Sequence, residues 1–476
     1  MTKRMLIFIN VISFFLILYF TVLTGLQTFV SAPRFDTDYQ TLYVSLHNNP
    51  PQFLYAEFPY APIVSREEKN SEKVVETLPL VSAVNVNTPV MGLLLHPLFN
   101  VSKNVLPNVI TWTVASLLGA GFSVFILMML WCDKKRALCF LPLFALFYLS
   151  WPSVYNLRLG EVAYILLPFF TLFYFLEKKG YQASAAILMG LLSSLKLFFL
   201  IFILFYLFKK EWKLLLICVG AFLFFLFAPI VYYHLPVYHA FFDTMKNDRL
   251  VFQHAVFPFN GSFLGLVERA DRLGQLHLMY GQKKIILGCF ALILLGWYYF
   301  FDKKYIAKLS EFADDIRIGF LMVFALMLSP LGWVYYYVFL LIPLFVFFKI
   351  QKKYVLSYVF YFFFFLAIFS LYLAWYYSAT GWLFYAEEVS AFFSLFCWMV
   401  CLCCVTGNIL VSKRNQGERN FLMIAILTLH VFVNFALLTA NFGIAFYLQW
   451  NKEHYLRHTS PVMTMQPFIN HDEKAE

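Results

Sequence analysis

The chain consists mainly of apolar runs that are long enough, or nearly so, to cross a lipid bilayer. A transmembrane helix needs about 20 consecutive apolar residues, and 62% of the 476 residues are hydrophobic whereas 13% are charged. A soluble globule has too little interior to bury that much apolar surface, so the sequence predicts a polytopic membrane protein. The runs lie at about 5–30, 105–131, 137–156, 162–176, 183–208, 213–233, 284–301, 318–349, 355–377, 390–411 and 420–448.

Two of these runs predict a hairpin of two short helices rather than a single span. Basic residues flank both ends of the run 183–208, and the run 318–349 has basic flanks and is interrupted at Ser329-Pro330-Leu331-Gly332. Lys and Arg favour the cytoplasmic side of a membrane, so such a run is expected to enter and leave on the same side. With both hairpins counted, the sequence predicts an all-α, polytopic integral membrane bundle of about 13 transmembrane helices.

The distribution of basic residues predicts the orientation. One set of polar segments carries more than half of the 36 basic residues but fewer than a third of the 26 acidic ones. The positive-inside rule places this set, and with it the N-terminus, in the cytoplasm. The net charge of +10 is thereby explained without a nucleic-acid partner. The segments are Lys3–Arg4, Lys134–Arg136, Lys178–Lys179, Lys209–Lys213, Lys303–Arg317, Lys349–Lys353 and Lys413–Arg419.

Two long loops, 31–104 and 234–283, are then expected on the outer side. Loops of this length are uncommon unless they have a function. In the first loop the apolar stretch Pro89–Leu98 is too short to cross a membrane and predicts an interfacial helix. The eight cysteines all lie inside or at the ends of apolar runs, and Cys401-Leu402-Cys403-Cys404 has no nearby His or carboxylate. We therefore expect no disulfide framework, no metal site and no cofactor.

Two carboxylates follow the first span directly, in Asp36-Thr37-Asp38-Tyr39. A carboxylate at the water–lipid boundary has access to both a lipid-borne donor and an acceptor, so either residue is a candidate general base. The alternative is that both are solvated. The same boundary carries Arg158 and Glu161 at the ends of adjacent runs, and Lys196 lies within the first hairpin. Ionisable residues in or near spans often mark function.

The motif Asp38-Tyr39-Gln40-Thr41-Leu42-Tyr43 resembles the acid-aromatic-x-x-x-Tyr motif that follows the first span in glycosyltransferase family 87. Asn87-Thr88-Pro89 is a degraded copy of the Tyr-Pro-Pro-Leu block of that family. Gly160-Glu161 is loosely similar to its Gly-Gln-x-Asn block. The resemblance continues in order over about residues 5–350, with a small-residue hairpin that ends at Lys196, an Asn-x-Ser motif at Asn260-Gly261-Ser262, and Ser329–Tyr336 in place of a Ser-Pro-x-Ser-Trp-x-His-aromatic block.

The resemblance implies a GT-C fold and transfer of a hexose, namely mannose, from a polyprenyl-phosphate donor to a lipid or glycan hydroxyl. Asp38 would be the general base of a single displacement, with Asp36 as the second choice. Lys196 and Arg158 would bind the donor phosphate. The residues expected to contact the substrates are Asn260, Ser262, Trp333, Tyr335 and Glu161.

Three departures from the family pattern bear on specificity or activity: Tyr335 stands where His is common, Glu161 replaces Gln, and Asn87-Thr88 replace Tyr-Pro. Structural interpretations also remain open. Lys196 would then extend to the interface, and Arg158 would pair with Glu161. Asn260-Gly261-Ser262 would form an ordinary turn, and Trp333 and Tyr335 would belong to an aromatic belt.

The domain expectation is a GT-C-like catalytic module over 1–350, additional transmembrane helices over 351–449 and a polar tail over 450–476. The predicted protein is a bacterial inner-membrane hexosyltransferase whose active site faces the periplasm or exterior and whose partners are the donor, the acceptor and membrane lipids. Two other classes are possible: a lipid-linked sugar flippase or polysaccharide polymerase, and a non-catalytic assembly subunit. A flippase or polymerase is expected to have a polar path through the bilayer or an arginine-rich outer loop, and neither is found in the sequence.

Overall fold

A computed structural model of the protein describes residues 3–31, 46, 58–59, 82–83, 87–103, 105–131, 140–246, 260–274, 277–351, 354, 356–368 and 384–411. This part of the chain is helical apart from turns and one antiparallel pairing of two residues, Phe58–Pro59 with Ser82–Ala83. The predicted all-α class is confirmed. Asp36, Asp38, the run 420–448 and the tail 450–476 lie outside the described residues.

The described α-helices are, in chain order, α1 (Lys3–Ser31), α2 (Pro89–Phe99), α3 (Val105–Trp131), α4 (Phe140–Tyr148), α5 (Trp151–Leu159), α6 (Ala163–Lys178), α7 (Gln182–Leu195), α8 (Ile203–Lys209), α9 (Trp212–Phe227), α10 (Ile230–Lys246), α11 (Phe263–Gly274), α12 (Tyr280–Lys304), α13 (Ala313–Leu328), α14 (Leu341–Gln351), α15 (Tyr358–Ile368) and α16 (Phe384–Val411). Short 3₁₀ segments lie at Leu197–Phe202, Ile306–Lys308, Ser310–Phe312 and Val334–Leu340.

The apolar helices have the character of membrane spans. Among the residues that the structure describes, four stretches are long and apolar enough to cross a bilayer, and a fifth is added if α9 and α10, bent by 88°, form one broken span. Side chains such as Phe8, Leu118 and Leu292 are more than 60% exposed, which a lipid environment explains. The predicted total of about 13 spans stays a prediction. The four stretches are Leu106–Leu130, Tyr280–Lys308, Val334–Gln351 and Ala391–Leu410.

Both predicted hairpins return to the end of the bundle where they begin. Lys209 Nζ at the end of the first hairpin lies 3.5 Å from Glu177 Oε2, just before that hairpin starts. Lys349 Nζ at the end of the second lies 3.3 Å from Asp315 Oδ2 near its beginning. Lys178 Nζ also contacts Asp315 and so joins the bases of the two hairpins. We call this region the charged end of the bundle.

The tips of the two hairpins meet at the opposite end. Helix α7 has 14 residues and is therefore about 21 Å long. At its end, Lys196 adopts an extended conformation (φ −140°, ψ 114°) and breaks the helix. Helix α13 has 16 residues and ends at Leu328, and the next residue, Ser329, is also extended. Lys196 Nζ lies 5.3 Å from the ring centre of Tyr336, just past the second tip. We call this region the tip end.

Aromatic packing holds the two hairpins together between these ends. The Phe339 ring after the second tip lies 5.2 Å from Phe199 and 5.8 Å from Phe170, and Phe170 also contacts Phe202. All four side chains are fully buried. Edge-to-face pairs of this kind add to the free energy gained from burial. This packed aromatic cluster therefore fixes the positions of the two hairpin tips.

Helices also occur where the outer loops are predicted. Helix α2 covers the predicted Pro89–Leu98 segment, and Thr88 Oγ1 caps it by accepting a hydrogen bond from Met91 N at 3.3 Å. Pro89 at the first helical position needs no hydrogen-bond donor there. Helix α10 begins at Ile230, inside the predicted run 213–233, and extends to Lys246 in the predicted loop 234–283. It is bent by 88° from α9, so the run 213–233 is not one straight helix. The predicted placement of these helices at the membrane interface stays a prediction.

Replacing Gly190 with Ala is expected to destabilise the bundle. A Cβ atom at this position would lie 2.6 Å from both Ala221 Cβ and the Cys218 carbonyl oxygen, so α7 and α9 would have to separate. Overpacking of this kind costs about 1–3 kcal/mol. The matched control is Gly220→Ala on α9, where a Cβ meets no heavy atom within 4 Å. Thermal unfolding in detergent should show a lower midpoint for Gly190→Ala only; equal midpoints would contradict the close packing.

Candidate functional site

Lys196 is the predicted phosphate-binding residue, and it lies where two of the sequence motifs meet. Its ammonium donates a hydrogen bond of 2.6 Å to Asn87 Oδ1 from the first outer loop. It also faces the Tyr336 ring of the Ser-Pro motif. Thr88 Oγ1 donates to the Leu195 carbonyl oxygen at 3.1 Å and attaches the same loop to the hairpin tip. These contacts orient the ammonium by an amide dipole and an aromatic face.

Asn260 and Ser262 join the second outer loop to the tip of the second hairpin. Asn260 Nδ2 donates to the Pro330 carbonyl oxygen at 2.9 Å, and Ser262 Oγ donates to the same oxygen at 3.2 Å. The backbone N–H of Gly261 donates to the Gly332 carbonyl oxygen at 2.9 Å, and Asn260 pairs with Trp333 as an isolated bridge. Both side chains are fully buried. In this arrangement the two residues hold the loop and the turn together.

A row of aromatic rings connects α5 with the tip end. The rings of Trp333 and Tyr335 are stacked with centres 6.0 Å apart, and Tyr335 is 6.1 Å from Tyr155 on α5. On the other side Tyr335 is 4.6 Å from Tyr336, the ring that faces Lys196. Tyr335 therefore connects α5 with the ring that faces Lys196, and Trp333 stacks on Tyr335. Their contact with substrates stays a prediction.

Glu161 lies at a sharp turn that follows α5. Gly160 adopts a left-handed conformation (φ 66°, ψ 40°) that glycine tolerates best, and the Glu161 N–H donates to the Asn156 carbonyl oxygen at 3.0 Å. The buried Glu161 carboxylate accepts a hydrogen bond from Val162 N at 3.0 Å, at the start of α6. A negative charge is favourable at a helix N-terminus. The backbone of Arg158 belongs to α5, and its side chain lies outside the described residues.

The structure adds two buried polar residues that the sequence analysis does not select. Arg269 on α11 donates from Nη1 to the Asn260 carbonyl oxygen at 3.0 Å and so supports the second loop. Asn156 on α5 is fully buried and directly follows Tyr155, whose ring contacts Tyr335. Its position at the end of an apolar run, five residues before Glu161, is the signal that was available in the sequence.

A buried ion pair supports α11 near this loop. Lys283 Nζ lies 2.8 Å from both Glu268 Oε1 and Asp271 Oδ2. The Leu278 N–H donates to the Asp271 carboxylate at 3.0 Å. That backbone hydrogen bond and then the Lys283 ammonium lower the pKa of Asp271 below its usual value. The carboxylate is therefore ionised at neutral pH and fixes the turn before α12.

An apolar cleft extends along the bundle from the tip end towards the charged end. The centre of a water-sized sphere can occupy about 80 Å³ of it, and the cleft is partly open to the surroundings. Tyr337, which follows Tyr336 in the chain, lines the part near the tip end. Phe348, which precedes Lys349 in the chain, lines the part towards the charged end. Its lining residues are Leu143, Leu146, Phe147, Ser150, Pro152, Tyr337, Leu340, Leu341, Leu344, Phe345, Phe348, Ala367, Ile368 and Trp398.

Residues 85–330 match the model of glycosyltransferase family 87, which is just over half of the chain. The chain belongs to glycosyltransferase family 87. With its apolar helices, this makes it a membrane glycosyltransferase, which uses a sugar donor and an acceptor. The match includes Arg158, Glu161, Lys196, Asn260 and Ser262 and leaves Asp36, Asp38, Trp333 and Tyr335 outside. No curated protein and no solved structure matches the chain.

Replacing Asn260 with Ala is expected to loosen the contact between the second loop and the Pro330 turn. The variant removes the donor to the Pro330 carbonyl and the acceptor for the Ser262 N–H, 3.0 Å away. The Pro330 carbonyl oxygen keeps its hydrogen bond from Ser262 Oγ, but the buried Ser262 N–H loses its acceptor, which costs about 1–3 kcal/mol. The control is Asn408→Ala, which removes one long bond of 3.4 Å to Ser357 Oγ. The unfolding midpoint in detergent should fall clearly for Asn260→Ala and little for the control; equal effects would refute the bridging role.

Proposed function

We propose that this family 87 enzyme has a GT-C fold and transfers mannose from a polyprenyl-phosphate donor to a hydroxyl of a lipid or glycan. The observation that carries the proposal is the position of Lys196 at the tip end, where it contacts Asn87 and the Tyr336 ring. We further propose that the protein lies in a bacterial inner membrane with its N-terminus in the cytoplasm. The tip end then faces the periplasm or exterior.

The apolar cleft supports a lipid-linked donor. A polyprenyl chain is an extended hydrocarbon, and the lining of the cleft is almost entirely aliphatic and aromatic. Its tip-end part is formed by Pro152 and Tyr337, and Tyr337 directly follows Tyr336, the ring that Lys196 faces. A tail in the cleft would therefore bring its phosphate to the tip end, where polar and cationic groups are available.

Lys196 suits a leaving phosphate. When the bond between the sugar carbon and the phosphate oxygen breaks, negative charge grows on the phosphate, and a fixed cation stabilises it. Asn87 and Tyr336 fix the ammonium in place. Arg158 is the second residue that we assign to the phosphate, because it lies on α5 close to the turn of Glu161.

Asp38 is the proposed general base, with Asp36 as the alternative. Both follow α1 within a few residues, and α1 packs against α5, which carries the aromatic row. In a single displacement the carboxylate takes the proton of the acceptor hydroxyl while the oxygen attacks the sugar carbon and the phosphate leaves. Trp333, Tyr335 and Glu161 are proposed to contact the substrates, and Asn260 and Ser262 to position Trp333.

The Asp38→Asn variant should lose transfer activity by about a hundredfold or more, because the amide keeps the shape but cannot accept the proton. The measurement is transfer from labelled polyprenyl-phosphate-mannose to membrane lipid and glycan acceptors by purified protein in nanodiscs. Asp36→Asn is the matched control and should keep most of the activity. If the control loses activity and Asp38→Asn does not, Asp36 is the base; full activity in both variants would refute a base at this motif.

The Lys196→Met variant should lower kcat and kcat/KM by about a hundredfold, because the missing charge acts mainly on the leaving phosphate in the transition state. Lys196→Arg keeps the charge and should recover part of the loss. Lys179→Met at the charged end is the control and should behave as wild type, since Lys179 is exposed and far from the tip end. A rise in KM alone, with kcat unchanged, would contradict a role in stabilising the leaving group.

A further inference from the structure

Asn156 is buried without a hydrogen-bond partner for its side-chain amide. The side chain is fully buried, and neither Nδ2 nor Oδ1 has a partner in the part of the chain that the structure describes. Buried polar groups in proteins almost always have a partner. An amide without a donor or acceptor partner among the described residues can form hydrogen bonds with a ligand or an ordered water.

The position of Asn156 relates it to the tip end and to the cleft. The preceding residue, Tyr155, contacts the Tyr335 ring of the aromatic row. Pro152, one helical turn earlier and on the same face of α5, lines the cleft. The Asn156 carbonyl oxygen accepts from the Glu161 N–H at the turn after the helix. The amide thus lies one turn beyond the lining of the cleft, where the polar head of a lipid held in the cleft is expected.

The chemistry of the amide distinguishes a sugar from a phosphate. An Asn side chain offers two donor hydrogens and one acceptor oxygen. A phosphate offers acceptors only, so it would satisfy Nδ2 and leave Oδ1 without a partner. A sugar hydroxyl both donates and accepts, and two neighbouring hydroxyls satisfy both ends of an amide. In a water-excluded site such hydrogen bonds are stronger than at a surface.

We propose that Asn156 is a specificity-determining residue that binds hydroxyl groups of the sugar being transferred. The proposal rests on the lipid-linked donor of the proposed function and deepens it. The phosphate is then held by Lys196 and the sugar by Asn156. Contacts from Tyr155 to Tyr335 and from Tyr335 to Tyr336 connect α5 with the ring that Lys196 faces.

The test compares the binding of two lipids, polyprenyl-phosphate-mannose and polyprenyl phosphate, to full-length protein in nanodiscs. Wild type should bind the mannose-bearing lipid more tightly than the sugar-free lipid. Asn156→Leu, similar in size but without the amide, should weaken binding of the mannose-bearing lipid by about tenfold or more. Its affinity for the sugar-free lipid should change less than twofold. Unchanged affinity for both lipids, or an equal loss for both, would overturn the proposal.

Folding is controlled within the same experiment. Replacing an unpartnered buried amide with an apolar group is not expected to lower stability, so Asn156→Leu should unfold at or above the wild-type temperature. Asn156→Ser is the second variant, smaller and still polar, if the first does not fold. Ser116→Ala is the matched control because it also removes a buried polar atom without a partner among the described residues. It should bind both lipids as wild type does.

Transfer kinetics separate the two proposals. For wild type, a donor that lacks one mannose hydroxyl should be transferred more slowly than the complete donor. If Asn156 binds that hydroxyl, Asn156→Leu should transfer the two donors at the same rate. If wild type transfers mannose and Asn156→Leu still transfers every such donor more slowly than the complete donor, the role of Asn156 is refuted while the proposed function stands. If wild type neither binds nor transfers from the mannose donor, both proposals fail.

Discussion

The arrangement of the helices depends on one buried carboxylate at the charged end. The Asp315 side chain is completely buried and contacts Lys178, Lys349 and the hydroxyl of Tyr174. A buried charge is costly unless it is paired, and removing one partner leaves the other uncompensated. The three partners come from α6 and α14, so this requirement fixes the bases of both hairpins relative to each other.

The position of the candidate site follows from that constraint. Helices α7 and α13 both begin at the charged end, and they have 14 and 16 residues. Their lengths are therefore similar, and both end at similar distances from the charged end. The packed phenylalanines between them leave little freedom for one hairpin to slide along the other. Lys196 and Tyr336 therefore meet although 140 positions separate them in the chain. The contact between the two motifs is set by charges at the far end of the bundle.

The hairpins could be predicted from the sequence because charge at both ends of a run limits where the run can go. The partners of the tip residues could not. Asn260 and Ser262 are typical substrate-binding types, yet both donate to the carbonyl oxygen of Pro330. That acceptor is available only because the chain turns between Ser329 and Trp333. The burial of Asn156 could not be predicted either, because a polar residue near the end of a span is usually solvated. Only the packing of the helices shows that this side chain is buried.

The two ends of the bundle use charge in different ways. At the charged end, Lys178, Lys349 and Arg317 contact carboxylates, so opposite charges cancel and serve to join helices. At the tip end, Lys196 donates to an amide oxygen and faces an aromatic ring, and these two contacts orient its ammonium. In surroundings of low dielectric constant opposite charges attract strongly. Paired charges thus join the helices at the charged end, and at the tip end we propose that the oriented ammonium binds the phosphate of a lipid donor.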